Sequence, residues 1–171
     1  MAAQLRHVDP TRPAGWFRRA YAGMAATRAA LFVSRHVNWK LDPLLLRITG
    51  GRICTTLMIP AAILETIGAK SGQPRKNAVI YFQDRDRVII AASNGGVPRN
   101  PAWFHNLVAH PDVTFGGIPM HATVVDDPGE EARLWPLAEN VFPGYIPYRR
   151  TAAANGRTIP IVALTPQPTG T

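Results

Sequence analysis

The chain contains very little cysteine, one residue in 171, and this excludes an internal disulfide framework. No His or Asn stands beside Cys54 in a recognisable motif, so we interpret it as a small buried apolar side chain rather than as a nucleophile. The five histidines lack zinc-type spacing with carboxylates or cysteines, and we therefore predict no metal site. The sequence also shows no Ser-His-Asp or Cys-His arrangement, which disfavours hydrolysis.

Long hydrophobic runs are missing as well, so the sequence predicts no transmembrane helix. Arg28 and Arg35 interrupt any apolar core near the N-terminus, which disfavours a secretory signal. No Gly-rich dinucleotide fingerprint follows a strand, and the Gly-rich turn over residues 68–75 lacks the lysine-serine ending of a P-loop. We therefore expect a cytoplasmic protein that is neither a Rossmann enzyme nor a P-loop enzyme.

Acidic residues are scarce relative to basic ones, which gives a net charge of +8. The excess lies mainly in residues 1–40, which carry seven Lys or Arg and one Asp. After a loose lead-in over residues 1–12, we predict a helix over residues 13–36 within a basic N-terminal extension, residues 1–50. This helix either packs on its own domain or makes peripheral contact with an anionic membrane. No aromatic-basic RNA motif appears, so we expect no nucleic-acid partner.

The rest of the chain is built from short β-branched runs between tight turns. We predict six strands, at residues 62–67, 76–83 and 87–93, on either side of Gly116-Gly117, and in "RTIPIVAL". Asp127, Pro128 and Glu130 predict the start of a late helix, which Pro136 should kink or interrupt. These elements predict a small antiparallel β-barrel of the α+β class over residues 51–165, with a tail over residues 166–171.

The stretch "SNGGVPRNPAWFHNL" follows one of the predicted strands. Asn100 can cap a helix whose first residue is Pro101 and which ends near His110. Helical spacing predicts an apolar stripe of Phe104, Leu107 and Val108 facing the core. It also predicts a neighbouring stripe of Trp103, Asn106 and His110. A tryptophan beside an amide suits the edge of a mixed apolar and polar ligand, and it also suits an ordinary half-buried helix.

Three further groups of side chains could bind a ligand. Gly95 and Gly96 let the backbone approach a ligand closely, and Ser93 and Asn94 add donors at the end of the strand. The turn "GAKSGQPR" offers cationic and hydroxyl donors, Lys70, Ser71 and Arg75, and is either an anion site or a solvated hairpin tip. Two tyrosines, Tyr145 and Tyr148, either donate a hydrogen bond or proton to a substrate or pack over the barrel mouth.

Three segments together, "TIGAKSGQPRKN", "VIIAASNGGVPRNPAWFHNLVAHPDV" and "RTIPIV", resemble the deazaflavin-dependent nitroreductase family of flavin/deazaflavin oxidoreductases. The resemblance spans roughly residues 65–164, with the motifs in matching order. It implies a split β-barrel of the FMN-binding-like type. It also implies coenzyme F-420, a 5-deazaflavin with a phosphodiester and an acidic glutamyl tail.

The resemblance assigns roles to the candidate residues. It implies that Lys70, Ser71 and Arg75 meet the phosphate and tail of the coenzyme. The residues that it places around the ring are Asn77, Ser93, Asn94, Gly95, Gly96, Asn100, Trp103 and Asn106. The implied reaction passes a hydride from reduced deazaflavin to an electron-poor small molecule: a quinone, an activated alkene or a nitro compound. Ser93 and Tyr145 would stabilise the charge that arrives on the acceptor, with Tyr148 as a further donor.

Two alternatives to this reading remain open. One is FMN chemistry on the same barrel, since FMN has a phosphate but no glutamyl tail. The other is a non-catalytic basic module that binds an anionic membrane or a nucleic acid through residues 1–40. The sequence leaves the choice between monomer and homodimer open, and it does not identify the physiological acceptor.

Overall fold

The structure is a computed structural model that describes residues 5–11 and 59–167 of the chain. Three features discussed above lie outside the described residues: the helix predicted over residues 13–36, Cys54, and residues 168–171 of the predicted tail. No helix within the described ranges combines the length and the apolar character needed to cross a bilayer.

The described residues form six strands, one short 3-10 turn and three helices. In chain order these are β1 (Ala61–Ile67), β2 (Pro74–Asp84), β3 (Arg87–Ala91), the 3-10 turn (Asn94–Gly96), α1 (Ala102–Ala109), β4 (Asp112–Phe115), β5 (Ile118–Val124), α2 (Pro128–Val141), α3 (Tyr145–Ala154) and β6 (Ile161–Pro166). The strands pair antiparallel in the order β1-β2-β3-β6-β5-β4, and β4 returns to β1 to close a barrel. The predicted six-stranded antiparallel barrel of the α+β class is confirmed.

The barrel interior is filled by large apolar side chains from all around the sheet. Leu64, Ile89 and Phe115 are among the largest side chains that are fully buried. Tyr81 packs its ring edge-on against Phe115, with the ring centroids 5.3 Å apart. Burying each such side chain contributes about 1.5–3 kcal/mol, so together these side chains contribute strongly to stability.

The β4–β5 turn shows why the predicted Gly-Gly pair ends a strand. Gly116 and Gly117 have φ angles of 58° and 84°, the left-handed conformations that a two-residue hairpin turn requires. A Cβ added at Gly116 would also lie 2.3 Å from the Leu5 side chain. The left-handed φ is the reason why glycine is needed at this position, since the Leu5 side chain could move aside.

Helix α2 begins as predicted. Asp127 caps it, because its Oδ1 accepts the Glu130 backbone N–H at 2.6 Å, and Pro128 is the first helical residue. Pro136 does not interrupt the helix, which continues to Val141. Burial of neighbouring side chains such as Trp135 holds this part of α2 although the proline cannot donate an intrahelical hydrogen bond.

Four charged residues join α2 to the turn between β2 and β3, and we call them the ion-pair cluster: Asp84, Arg87, Glu130 and Arg133. Asp84 is buried and accepts hydrogen bonds from Arg133 at 2.6 and 3.0 Å and from Arg87 at 2.9 Å. Glu130 accepts from the same two arginines. These bonds, first of all those from Arg133, hold the Asp84 pKa below its usual value and lower the Glu130 pKa to about 2.

Residues 5–11 lie on the barrel, so the prediction that they belong to a loose lead-in is wrong. The Val8 N–H donates to Gln83 Oε1 at 2.7 Å, and the Gln83 N–H donates to the Val8 carbonyl at 3.4 Å. The Tyr81 hydroxyl donates to the Arg6 carbonyl at 2.9 Å. These partners lie about 75 positions apart in sequence, so no local pattern indicates the contact.

Candidate functional site

The candidate site residues lie on elements that are in direct contact. The β1–β2 turn touches α1, because the Ala69 N–H donates to Asn106 Oδ1 at 3.0 Å. The loop after β3 touches α3, since a Cβ added at Gly96 would lie 2.5 Å from the Tyr148 carbonyl oxygen. The structure thus brings the predicted anion-binding turn, the Gly-Gly loop, α1 and the two tyrosines into one connected region.

The β1–β2 turn is held rigid by its own backbone. The Gly68 N–H donates to the Gln73 carbonyl at 2.9 Å, and the Gly72 N–H donates to the Gly68 carbonyl at 2.8 Å. The side chains of Lys70, Ser71 and Arg75 are exposed on this frame. Those three residues are the ones predicted to meet an anionic group.

The charges on this turn differ in how they are neutralised. Lys76 forms an ion pair with Glu65 at 2.8 Å across β1 and β2. Lys70 and Arg75 have no carboxylate partner within residues 5–11 and 59–167. Two neighbouring cations without a counter-charge in the described part of the chain make the turn a suitable site for an anion.

Asn77 lies just beyond this turn, on β2. It pairs with Leu64 of β1, whose side chain is fully buried in the barrel. Cross-strand partners share one face of a sheet, so Asn77 is on the inward face and half-buried at the end of the barrel. Asn77 is therefore a polar side chain near the β1–β2 turn, on the face of the sheet that also carries Leu64.

Asn106 connects α1 to the rest of the site. Its amide is buried, with Oδ1 accepting the Ala69 N–H and Nδ2 donating to Thr66 Oγ1 at 3.1 Å. Both ends of the amide are thus used within the protein, and the side chain fixes the position of the turn relative to α1. Trp103, one turn earlier on α1, is also buried.

The apolar stripe predicted for α1 is wrong in one residue. Leu107 is buried, but Val108 is 58% exposed. The helix places Trp103, Asn106 and Leu107 toward the barrel, a face set by the hydrogen bonds of the Asn106 amide. Hydrophobicity alone favoured Val108 for that face. In the structure the face instead includes Asn106, a polar residue whose amide is hydrogen-bonded within the protein.

The Gly-Gly loop has an unusual backbone. Asn94, Gly95 and Gly96 have φ angles of 46°, 65° and 78°, three consecutive left-handed residues. Asn94 Nδ2 donates to the Arg99 carbonyl at 2.9 Å, which closes the loop on itself. Ser93 is half-buried at its start. Glycine at position 96 is required because any side chain would collide with α3.

Arg157, which no local sequence pattern marks, fixes this loop through hydrogen bonds. Its guanidinium donates to the Val97 carbonyl at 2.5 Å, to Asn100 Oδ1 at 2.8 Å, to the Ser93 carbonyl at 3.2 Å and to the Ala92 carbonyl. Burial lowers the pKa of Arg157. Arg157 is the first residue of the segment "RTIPIV". Most of its partners are backbone carbonyls, which every residue type provides, so the sequence does not reveal the contact.

The structure corrects the predicted role of Asn100 at the start of α1. The capping residue is Pro101, and no side-chain hydrogen bond caps the helix. The Asn100 side chain instead accepts the hydrogen bond from Arg157. The position of Asn100 in the sequence favoured a helix cap, but its Oδ1 is occupied by the hydrogen bond from Arg157, a residue distant in sequence.

The two tyrosines lie on one side of α3, three residues apart. Tyr145 is buried, and its ring packs against Phe142 and Trp135 at centroid distances of 5.2 and 6.0 Å. Tyr148 is half-buried and packs on Phe142 at 5.9 Å. Burial, with a smaller effect of Tyr148, raises the pKa of Tyr145. Its hydroxyl is a hydrogen-bond donor at neutral pH, as that of an ordinary tyrosine is.

The sequence matches a family model with the description F420H(2)-dependent quinone reductase over residues 41–166. The chain therefore belongs to this family of reductases, and the resemblance found in the sequence is confirmed. An F420H(2)-dependent quinone reductase of Mycobacterium tuberculosis is 37% identical over 145 residues, which cover 78% of this chain and 95% of the relative.

Solved structures agree with the family assignment. An F420-H2 dependent reductase (FDR-A) is 28% identical, with a TM-score of 0.53 over 61% of this chain and 93% of its own. A protein described as a domain-swapped dimer is 25% identical, with a TM-score of 0.55 over 73% of this chain and 96% of its own. The predicted split barrel is confirmed by these likenesses.

Proposed function

We propose that this protein is an F-420-dependent reductase whose acceptor is a quinone. The observation that carries the proposal is the family match over residues 41–166, because that range contains every element of the candidate site. The geometry agrees, since it joins a cationic turn, a close-approach loop and a buried tyrosine donor. Activated alkenes and nitro compounds are further acceptors of the same electron-poor class.

The residues of the β1–β2 turn fit the anionic part of the coenzyme. F-420 carries a phosphodiester and an acidic glutamyl tail, and Lys70 and Arg75 are exposed cations with no carboxylate partner in the described chain. The exposed Ser71 hydroxyl can add a hydrogen bond to a phosphate oxygen. We therefore assign the tail of the coenzyme to this turn.

The residues assigned to the ring region are Asn77, Ser93, Asn94, Gly95, Gly96 and Trp103. Asn77 lies at the barrel end beside the turn, and the loop from Ser93 to Gly96 has the backbone shape that permits close approach. Asn100 and Asn106 act on this region indirectly. Their side chains hold Arg157 and the turn, respectively.

When bound, reduced F-420 supplies the hydride for the reaction. The protein holds the acceptor beside the ring and stabilises the negative charge that develops on the acceptor oxygen. We assign Tyr145 to this role because it lies on α3, the helix that packs against the Gly-Gly loop, and because a tyrosine hydroxyl is a hydrogen-bond donor at neutral pH. Ser93 and Tyr148 are the other donors that we assign to the acceptor.

The function is tested by mixing the purified protein with reduced F-420 and menadione. Absorbance at the oxidised deazaflavin band should rise only when both protein and quinone are present. Enones and nitroaromatics, tested in parallel, define the acceptor range. The proposal fails if no member of the panel causes oxidation of the coenzyme above the rate without protein.

A binding titration separates F-420 from FMN. Tryptophan fluorescence should be quenched by F-420 at lower concentration than by FMN, because only F-420 has the acidic tail for Lys70 and Arg75. Tighter binding of FMN would instead support the alternative flavin reading. A protein that binds neither coenzyme but does bind anionic vesicles or nucleic acid would support the non-catalytic basic module.

Membrane contact through the basic residues 1–40 remains a prediction, as do the cytoplasmic location and the choice between monomer and homodimer. Co-sedimentation with anionic vesicles tests the first. Light scattering of the purified protein tests the last. Neither result alters the assignment of the reductase site.

A further inference from the structure

Arg157 is a partly buried cation with neutral partners. It donates to three backbone carbonyls and one amide oxygen, and no ion pair joins it to a carboxylate of the described residues. Arg87 and Arg133, in the ion-pair cluster, each contact two carboxylates. A charge withdrawn from water without a counter-charge is costly, so the hydrogen bonds of Arg157 must themselves offset that cost.

These hydrogen bonds connect two parts of the candidate site. Arg157 lies between α3 and β6, whereas its partners lie in the loop between β3 and α1. A second contact joins the same two parts, because Gly96 packs against the Tyr148 carbonyl. The loop that carries Ser93 is thus fixed to the segment that carries Tyr145 at two points.

We propose that Arg157 is a positioning residue that fixes the Ser93 loop relative to α3. The inference rests on the proposed function, in which the loop borders the coenzyme ring and Tyr145 faces the acceptor. If the two parts separate, the coenzyme and the acceptor lose their relative placement although each can still bind. Arg157 acts through the loop, since its donors are occupied by loop atoms.

The chemistry of the guanidinium explains why arginine suits this place. Its planar fork presents five N–H donors in fixed directions, and here it reaches four oxygen atoms. A lysine ammonium is a compact donor that cannot reach carbonyls spread from Ala92 to Val97 at the same time. Arg157→Lys should therefore retain the charge and lose most of the hold on the loop.

The first test uses the protein without coenzyme. Hydrogen exchange followed by mass spectrometry should show amides of residues 93–97 exchanging about tenfold faster in Arg157→Met than in the wild type, with strand amides unchanged. Arg133→Met is the matched control, because it removes a multiply bonded arginine far from the loop. It should lower thermal stability and leave the exchange of residues 93–97 as in the wild type.

The second test separates positioning from simple stabilisation. In Arg157→Met, turnover with menadione should fall about a hundredfold, while the Kd for oxidised F-420 changes much less. Methylguanidinium should restore part of the turnover, and urea at equal concentration should not. Arg157→Lys should resemble Arg157→Met more closely than the wild type.

Two results would overturn the proposal. One is wild-type exchange of residues 93–97 in Arg157→Met, whether or not thermal stability falls. The other is an equal loss of turnover and F-420 affinity with no effect of methylguanidinium. If the wild type neither binds nor oxidises F-420, the reductase assignment fails instead, and the exchange experiment still decides whether Arg157 holds the loop.

Discussion

The two ends of strand β2 both present groups of charged residues, and they differ in how charge is neutralised. At the Asp84 end, the ion-pair cluster pairs two carboxylates with two arginines and joins α2 to the barrel. At the Pro74 end, Lys70 and Arg75 are exposed and have no carboxylate partner among the described residues. The comparison separates charges that stabilise the fold from charges suited to an external anion.

The largest expected effect is on coenzyme affinity at the Pro74 end. The double variant Lys70→Ala, Arg75→Ala should weaken F-420 binding about a hundredfold or more, since each charge-assisted hydrogen bond contributes about 1.5–3 kcal/mol. Its thermal stability should stay near that of the wild type, because neither side chain has a hydrogen-bond or ion-pair partner among residues 5–11 and 59–167. A fluorescence titration at two salt concentrations measures both the loss and its screening.

Arg85→Asn is the matched control for that double variant. Arg85 is an exposed cation at the other end of β2 and has a φ of 58°, a conformation that asparagine tolerates. F-420 affinity should not change in this variant. A comparable loss of affinity would mean that the overall positive charge, rather than the β1–β2 turn, attracts the coenzyme.

The second expected effect concerns Asn106, the uncharged residue whose hydrogen bonds hold the cationic β1–β2 turn against α1. Asn106→Ala removes the acceptor of the Ala69 N–H and the donor to Thr66, and should reduce the free energy of unfolding by about 1–3 kcal/mol. F-420 affinity should fall as well, because the turn loses its contact with α1. Urea unfolding and a coenzyme titration measure the two effects.

Asn140→Ala provides a comparison for Asn106→Ala. Asn140 lies on α2, and its side chain makes one hydrogen bond within the described residues, to the Pro10 carbonyl at 3.4 Å. It should cause a smaller loss of stability and no change in affinity. Equal effects of the two variants would contradict the role of Asn106 as the support of the turn.

The third expected effect concerns a neutral donor near the Gly-Gly loop. Tyr145→Phe should lower turnover with menadione about tenfold and leave the Kd for F-420 nearly unchanged, because the hydroxyl is assigned to the acceptor. Steady-state kinetics and a titration give the two values. Tyr81→Phe is the control: its hydroxyl bonds the Arg6 carbonyl, so this variant should affect stability and not turnover. Unchanged turnover in Tyr145→Phe rejects the assignment.

The fourth expected effect lies at the Asp84 end. Arg133→Ala should lower the free energy of unfolding by about 1 kcal/mol, because the lost hydrogen bonds are partly exposed and screened by solvent. Its F-420 affinity should equal that of the wild type. A loss of F-420 affinity in this variant, if it remains folded, would contradict the conclusion that charges at the Asp84 end of β2 serve stability and not coenzyme binding.

The smallest expected effect is a dependence of stability on pH that arises at the Asp84 end. The Glu130 pKa is lowered from 4.5 to about 2, and the Asp84 pKa is also lowered. A folded-state pKa below the unfolded value gives a contribution that is present above pH 4.5 and lost as the pH falls toward 2. The stability difference between wild type and Arg133→Ala should therefore shrink between pH 6 and pH 3, roughly the window set by these shifts. Urea unfolding at both pH values measures it, and a constant difference would contradict it.

Local chemistry made much of the barrel predictable. The Gly116-Gly117 turn and the Asp127 cap with Pro128 formed as the sequence indicated, because each depends on residues within a few positions. The cationic turn was also visible, since its lysine, serine and arginine lie within six positions of one another.

Long-range partners were not predictable in the same way. Arg133 meets Asp84 across 49 positions, and Arg157 meets the Ala92 carbonyl across 65. Asn100 was expected to cap α1, but a distant arginine takes its oxygen, and residues 5–11 dock on strands that come much later in the chain. In each case a single sequence shows the residue and not the partner that determines its role.

The return of β4 to β1 gives the barrel one narrow seam. Only two residue pairs, Leu64 with Phe115 and Glu65 with Thr114, are in register there, whereas β1 and β2 share seven. Local opening of the barrel should start at this pairing of β1 with β4. Strand β1 leads directly from the pairing into the turn assigned to the coenzyme tail. A ligand that binds the turn would therefore stabilise the closed barrel. It would slow the local opening of β1 at residues that the ligand does not contact.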